Sequence, residues 1–155
     1  QAEYRIACDT ALFSLNTNHG IRPQRGEYAY VVRPGISTVS TVAKYAADLP
    51  IKILANTEKI QAARHEKLGI TEIIFYQPGE LRLENGDILA TDTPCALLWK
   101  EKEEKIHAAN PRCESKNPGK ITITLTQSGQ TKQISFEMPQ KEEAGKSCTA
   151  PLYRN

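Results

Sequence analysis

"KITITLTQSGQTKQISFEM", residues 120–138, decides the fold class. Ile121, Ile123 and Leu125 fall on one side of an extended chain, with Thr122, Thr124 and Thr126 on the other. Successive side chains of a strand point to opposite faces, so this alternation predicts a half-buried antiparallel strand. Beyond Gln127-Ser128-Gly129-Gln130 the pattern resumes with Ile134, Phe136 and Met138, and 120–138 reads as a hairpin.

A second hairpin lies upstream. In "ELRLENGDILAT", residues 80–91, Asn85-Gly86 reads as a two-residue type I′ turn, which needs positive φ at both positions. That register sets Leu83 opposite Ile88 and Leu81 opposite Ala90, all four on one buried face. Further strands are expected at 3–8, 11–16, 27–33, 51–55, 71–76, 94–99 and 104–108. One segment has a helical period: in "STVSTVAKYAADLP", residues 37–50, Val39, Val42, Ala43, Ala46 and Leu49 share a face. Ser37 or Thr38 would cap this helix and Pro50 would end it. "EKIQAARHEKLG", residues 58–69, could form a second helix on propensity, and periodicity alone does not exclude it.

Many short strands with turn signals between them predict a mainly β protein built as a sandwich. The natural boundary is the helix ending at Pro50. It separates residues 1–49, about three strands and the helix, from a self-sufficient run over residues 50–155. Three strands with apolar faces cannot bury themselves alone, so the first segment looks like the end of a larger sheet.

Composition narrows the function classes. The chain has 155 residues, of which 39% are hydrophobic and 25% charged. No apolar run approaches the roughly 18–20 residues that cross a bilayer as a helix, so no membrane partner is expected. The net charge of +2 and the 6% aromatic content offer neither a strong field nor stacking platforms for nucleic acid. The sequence starts at Gln1 with no charged-then-apolar leader, which reads as a removed signal or an excised piece. The mixed charges of residues 100–105, "KEKEEK", and 141–146, "KEEAGK", read as solvated loops.

Residues that could carry chemistry are sparse. Cys8, Cys95, Cys113 and Cys148 show no CxxC spacing, which argues against a structural zinc site. Cys95, in "PCALLW", suits a buried thiol. Cys113 and Cys148 lie in polar stretches, and a bridge between them makes sense only in an oxidising compartment. His19, His65 and His107 share no ligand spacing, so no metal is expected. There is no nucleophile elbow, phosphate-binding loop or dinucleotide fingerprint, and hence no expected cofactor. Trp99 ends an apolar strand and reads as core, with a sugar-stacking platform as the alternative.

One stretch is not filler: "NHGIRPQRGEYAYVVRPG", residues 18–35. A basic, proline-broken loop leads into an apolar strand and a Pro-Gly stop. With the helix and the "ILANTEKIQAARH" that follow, it resembles the family 8 polysaccharide lyases, which include chondroitin AC lyase, hyaluronate lyase and xanthan lyase. The resemblance rests on His19-Gly20, Tyr28-Ala29-Tyr30 and Pro34-Gly35, then on an "ILxNTxxxQAxxH" pattern from Ile53 to His65. Asp92, Pro94, Cys95, Ala96 and Leu97 match the family's "DxPCAL" strand. These blocks run in family order through about two-thirds of the chain, and beyond residue 110 only a strand pattern remains.

The resemblance implies a large α/α toroid upstream, a β supersandwich whose last strands lie in residues 1–49, and a C-terminal β-sandwich over residues 50–155. It also turns "IQAARH" into a strand, against propensity. It implies an extracellular or periplasmic bacterial enzyme that cleaves acidic glycosaminoglycans of the chondroitin or hyaluronan type by β-elimination. The family's proton-transfer groups lie on the toroid, and none of their motifs occurs here. No catalytic residue is therefore assigned, and the chain alone is expected to be inactive. It would brace the toroid, as part of one polypeptide or as a separate chain. Calcium binding by the parent's β region stays open. If the chain touches polysaccharide, the expected contacts are His19, Arg22 and Arg25, guanidinium groups pairing well with sulfate and carboxylate; solvated surface charge is the plainer reading. A stand-alone carbohydrate-binding sandwich is the alternative from a different class.

Overall fold

The computed structural model describes residues 16–24, 26–111 and 119–152. The expected strand at 3–8, all but the last residue of that at 11–16, and Cys8, Arg25 and Cys113 lie outside these residues. The chain divides into two compact units, Gln1–Gly35 and Ile36–Asn155.

In the first unit, the strand expected at 27–33 does not form. Tyr28, Tyr30, Val31 and Val32 are all exposed. A strand needs a neighbour to satisfy its backbone groups, and among the described residues none is offered.

The second unit opens with helix α1, Val39–Ala47, whose N-cap Thr38 accepts a hydrogen bond from Thr41 N at 3.3 Å. Pro50 follows shortly after, as the sequence predicts. No residue of α1 is buried, and its apolar positions Val39 and Val42 stay exposed.

The strands are β1 Ile51–Asn56, β2 Ile60–His65, β3 Ile70–Phe75, β4 Gly79–Arg82, β5 Ile88–Thr91, β6 Cys95–Lys100, β7 Lys105–Ala109, β8 Lys120–Gln127, β9 Gln130–Glu137 and β10 Cys148–Pro151. They form a six-stranded sheet, β1-β2-β3-β6-β7-β10, and a four-stranded sheet, β4-β5-β8-β9. Every pairing is antiparallel. The protein is mainly β, as the alternation in residues 120–138 predicts. "IQAARH" is strand β2, paired with β1 and β3.

The core lies between the sheets. Ile73, Phe75, Leu97, Trp99 and Ile106 come from the larger sheet, and Leu81, Leu89, Ile121, Ile123 and Phe136 from the smaller one. Burying side chains of this size stabilises the fold by about 1.5–3 kcal/mol each. Trp99 is 2% exposed, so it belongs to the core and offers no platform to a sugar.

The two hairpins of the smaller sheet differ from each other. Between β8 and β9, Gln127 pairs with Gln130, and Ser128 and Gly129 both have positive φ (49° and 78°). This is the two-residue type I′ geometry. The expected type I′ turn at Asn85-Gly86 is instead a three-residue loop. Leu83 N donates to Asp87 O at 2.8 Å, Gly86 N donates to Leu83 O at 3.0 Å, and Gly86 alone has positive φ, 88°. That is a type I turn closed by a glycine bulge. The extra loop residue moves the register by one: Leu81 faces Leu89, and Arg82 faces Ile88. A one-residue shift turns a strand over, so Leu81, Leu83 and Leu89 are buried while Ile88 and Ala90 turn to the outer side.

Candidate functional site

In the first unit, His19 and Arg22 sit on an exposed loop. Gly20, with φ 80°, donates its N–H to Asn18 Oδ1 at 2.8 Å and turns the chain. Arg22 also adopts the left-handed region, with φ 53°. The His19 ring lies 5.7 Å from that of Tyr28, tilted by 48°, and Tyr28 stacks on Tyr30 at 6.3 Å and 10°. A Cβ at Gly26 would come within 2.9 Å of His19 Nδ1, so the absent side chain makes room for the imidazole. The aromatic pair was not among the residues expected at this site. Tyr28 and Tyr30, two apart on an extended segment, share a face, and that period was the available signal.

Chemically, His19, Tyr28 and Tyr30 form an exposed aromatic cluster on the same loop segment as Arg22. It can stack on a ring and pair with an anion. Among the described residues His19 makes no hydrogen bond, so nothing orients it as a general base.

In the second unit, the motif residues act as structural clips. Where the chain leaves β5 for β6, Asp92 stays tied to the smaller sheet: its Oδ1 accepts from Thr122 N of β8 at 3.1 Å and from Thr93 Oγ1 at 2.9 Å. Partial desolvation pushes its carboxyl up, but these hydrogen bonds outweigh it and hold Asp92 below the usual carboxylate value. Thr91 closes the same crossing by accepting from Thr93 N and donating to Thr93 O, and Cys95 Sγ donates to Thr91 Oγ1 at 3.5 Å. Burial pushes the Cys95 thiol up to about 11.

Thr57 folds the β1–β2 turn, accepting from Ile60 N at 3.0 Å and donating to Ile60 O at 3.1 Å. His65 Nδ1 accepts from Leu68 N at 3.3 Å and holds the next turn. Arg64 grips both carboxylate oxygens of Glu101, the bond to Oε2 measuring 2.8 Å, and reaches Thr71 Oγ1 at 3.3 Å. The bonds to Glu101 raise the guanidinium pKa and keep it charged. Glu101 thus leaves the charge run at 100–105 to serve a partly buried pair.

Cys148 carries a thiol that donates to Glu137 O at 3.4 Å. Among the described residues no group of three or more His, Cys, Asp or Glu side chains could hold a metal ion. No helix there is long and apolar enough to cross a membrane.

Residues 52–118 match the model of the polysaccharide lyase family 8 C-terminal beta-sandwich domain. Chondroitinase-AC from Pedobacter heparinus is 39% identical over 136 residues, 86% of this chain and 19% of that protein. Xanthan lyase from a Bacillus species is 27% identical over 73% of this chain and 12% of its own length. A solved structure of chondroitinase AC lyase, determined as enzyme–oligosaccharide complexes, superposes with a TM-score of 0.66 at 32% identity, over 76% of this chain and 17% of that one. The chain thus spans less than a fifth of the length of these relatives. It belongs to polysaccharide lyase family 8 and carries that family's C-terminal β-sandwich domain.

Proposed function

We propose that this chain is the structural C-terminal portion of a secreted polysaccharide lyase that cleaves acidic glycosaminoglycans by β-elimination. The supporting observation is the role of its motif residues. Asp92, Thr57 and His65, on which the family likeness rests, are each spent on holding turns and a sheet crossing. A catalytic array needs an oriented base, and the histidine of the exposed loop has no orienting partner among the described residues. The chemistry therefore belongs to another part of the enzyme, and residues 1–49 contribute the last strands of a larger sheet. The exposed run from Tyr28 to Val32 fits a strand taken from its sheet.

A second reading, a carbohydrate-binding module, draws on one observation, the stacked Tyr28–Tyr30 pair beside His19. The burial of Trp99 removes the other aromatic it would have used. Assay of the complete encoded protein on chondroitin sulfate and hyaluronan separates the readings. Unsaturated uronic acid ends are expected in the products. Saturated ends, or binding without cleavage, would overturn the lyase reading.

A further inference from the structure

Of the seven asparagines in the sequence, Asn85 alone precedes a glycine. Glycine has no Cβ to fend off a neighbour, so its backbone nitrogen can close on the carboxamide before it. Both residues are exposed, in the loop between β4 and β5, where water reaches them. Yet both groups that such a closure needs are already engaged. The Gly86 N–H donates to Leu83 O at 3.0 Å. The Asn85 carboxamide is held at both ends by Asp87: its Oδ1 accepts from Asp87 N at 3.1 Å, and its Nδ2 donates to Asp87 Oδ2 at 3.0 Å. Asp87 is itself fixed. It is 8% exposed, its Oδ2 also accepts from Gln127 Nε2 of β8 at 2.9 Å, and its carbonyl accepts from Leu83 N at 2.8 Å. Hydrogen bonds to a carboxylate are stronger than those between neutral groups, so the clamp is a firm one.

We propose that Asn85-Gly86 is a self-modification site of this domain and that Asp87 holds it shut. In the reaction the Gly86 nitrogen gives up its proton and bonds to Asn85 Cγ. The Cγ–Nδ2 bond breaks, and Nδ2 leaves as ammonia, taking up that proton. The product of this step is a cyclic succinimide. Water then opens the ring at either carbonyl and leaves aspartate or isoaspartate, so the net change is water in and ammonia out. Ring closure requires the Asn85 side chain to turn from Asp87 onto its own main chain, which breaks both contacts with Asp87 and the Gly86 bond to Leu83. The change does not reverse. A carboxylate in place of Nδ2 has no proton to donate and faces the Asp87 carboxylate, and isoaspartate also adds a carbon to the main chain of the loop.

The wild type, Asp87→Ala and Asp92→Asn are incubated in mildly alkaline buffer, the wild type also in urea, and conversion at position 85 is followed by peptide mapping. An isoaspartyl methyltransferase marks isoaspartate, and native emission from Trp99 confirms the fold. The urea-unfolded wild type and folded Asp87→Ala are each expected to convert roughly tenfold faster than the native wild type, or more, because each has lost the clamp. Asp92→Asn should keep the native rate. Equal native and unfolded rates overturn the proposal, because nothing is then held shut. Asp92→Asn converting as fast as Asp87→Ala also overturns it, because general destabilisation then accounts for both. Aspartate without isoaspartate overturns the ring closure. If Asp87→Ala does not fold, Asp87→Asn, which keeps the size but not the charge, takes its place: conversion faster than in the native wild type supports the clamp, and an unchanged rate overturns it.

Discussion

Cys95 and Asp92 sit three residues apart, and the fold treats them in opposite ways. The Cys95 thiol is fully buried and pushed up to about 11, so it stays protonated and out of reach. In the native chain a disulfide reagent at about pH 8 should leave Cys95 unmodified, and peptide mapping should find the label only after unfolding. Asp92 is held below the usual carboxylate value, so folding favours its charged form. Its contribution is complete above the ordinary carboxylate range and fades as pH falls through the folded value. Denaturant melts of the wild type and Asp92→Asn should therefore show the wild type ahead at neutral pH, with the gap narrowing below about pH 4. A gap independent of pH would mean that the Thr122 contact does not depend on charge. Burial of Cys95 and Trp99 was legible from "PCALLW", a local apolar run. The Asp92 clip was not, because its partner Thr122 lies 30 residues away and only the pairing of β5 with β8 brings them together.

Most strands of the second unit were legible as elements because alternation in β8 and β9 is strict and turn residues separate the runs, but β10 was not expected and β2 was a strand only through the family resemblance. The hairpin at Asn85-Gly86 was legible only as a turn. Asn-Gly fits a type I′ turn, but glycine alone at positive φ also suits a type I turn with a bulge. Here Asp87 decides between them. Asn85 Nδ2 and Gln127 Nε2 both donate to Asp87 Oδ2, at 3.0 and 2.9 Å, and pin the three-residue loop to the neighbouring strand β8. Gly86→Val should cost about 1–2 kcal/mol, since a β-branched residue resists a φ of 88°. Ser128→Asn should stabilise by about 0.5 kcal/mol, because asparagine tolerates the left-handed region better than serine. Urea unfolding followed by the emission of Trp99 reads both changes, and reversed signs would refute the turn assignments. The segment 27–33 has a strand's composition but pairs with no strand among the described residues, since pairing depends on a neighbour that composition cannot supply.

At the scale of the whole molecule, a two-sheet core folds beside turns held by Thr57, His65 and Asp92, while aliphatic side chains such as Val32, Ile53 and Ile74 stay exposed. We propose that this rigid interior serves to brace a larger enzyme. The central proposal is that this chain holds the C-terminal β-sandwich of a lyase without its chemistry. The most direct test is to incubate the 155-residue chain, repurified to constant composition, with chondroitin sulfate and with hyaluronan while following the ultraviolet absorbance of unsaturated uronic acid, beside the complete encoded protein. The account predicts a flat trace for the chain and a rising one for the complete protein. A rise with the chain alone that persists through repurification and disappears in His19→Ala would contradict it.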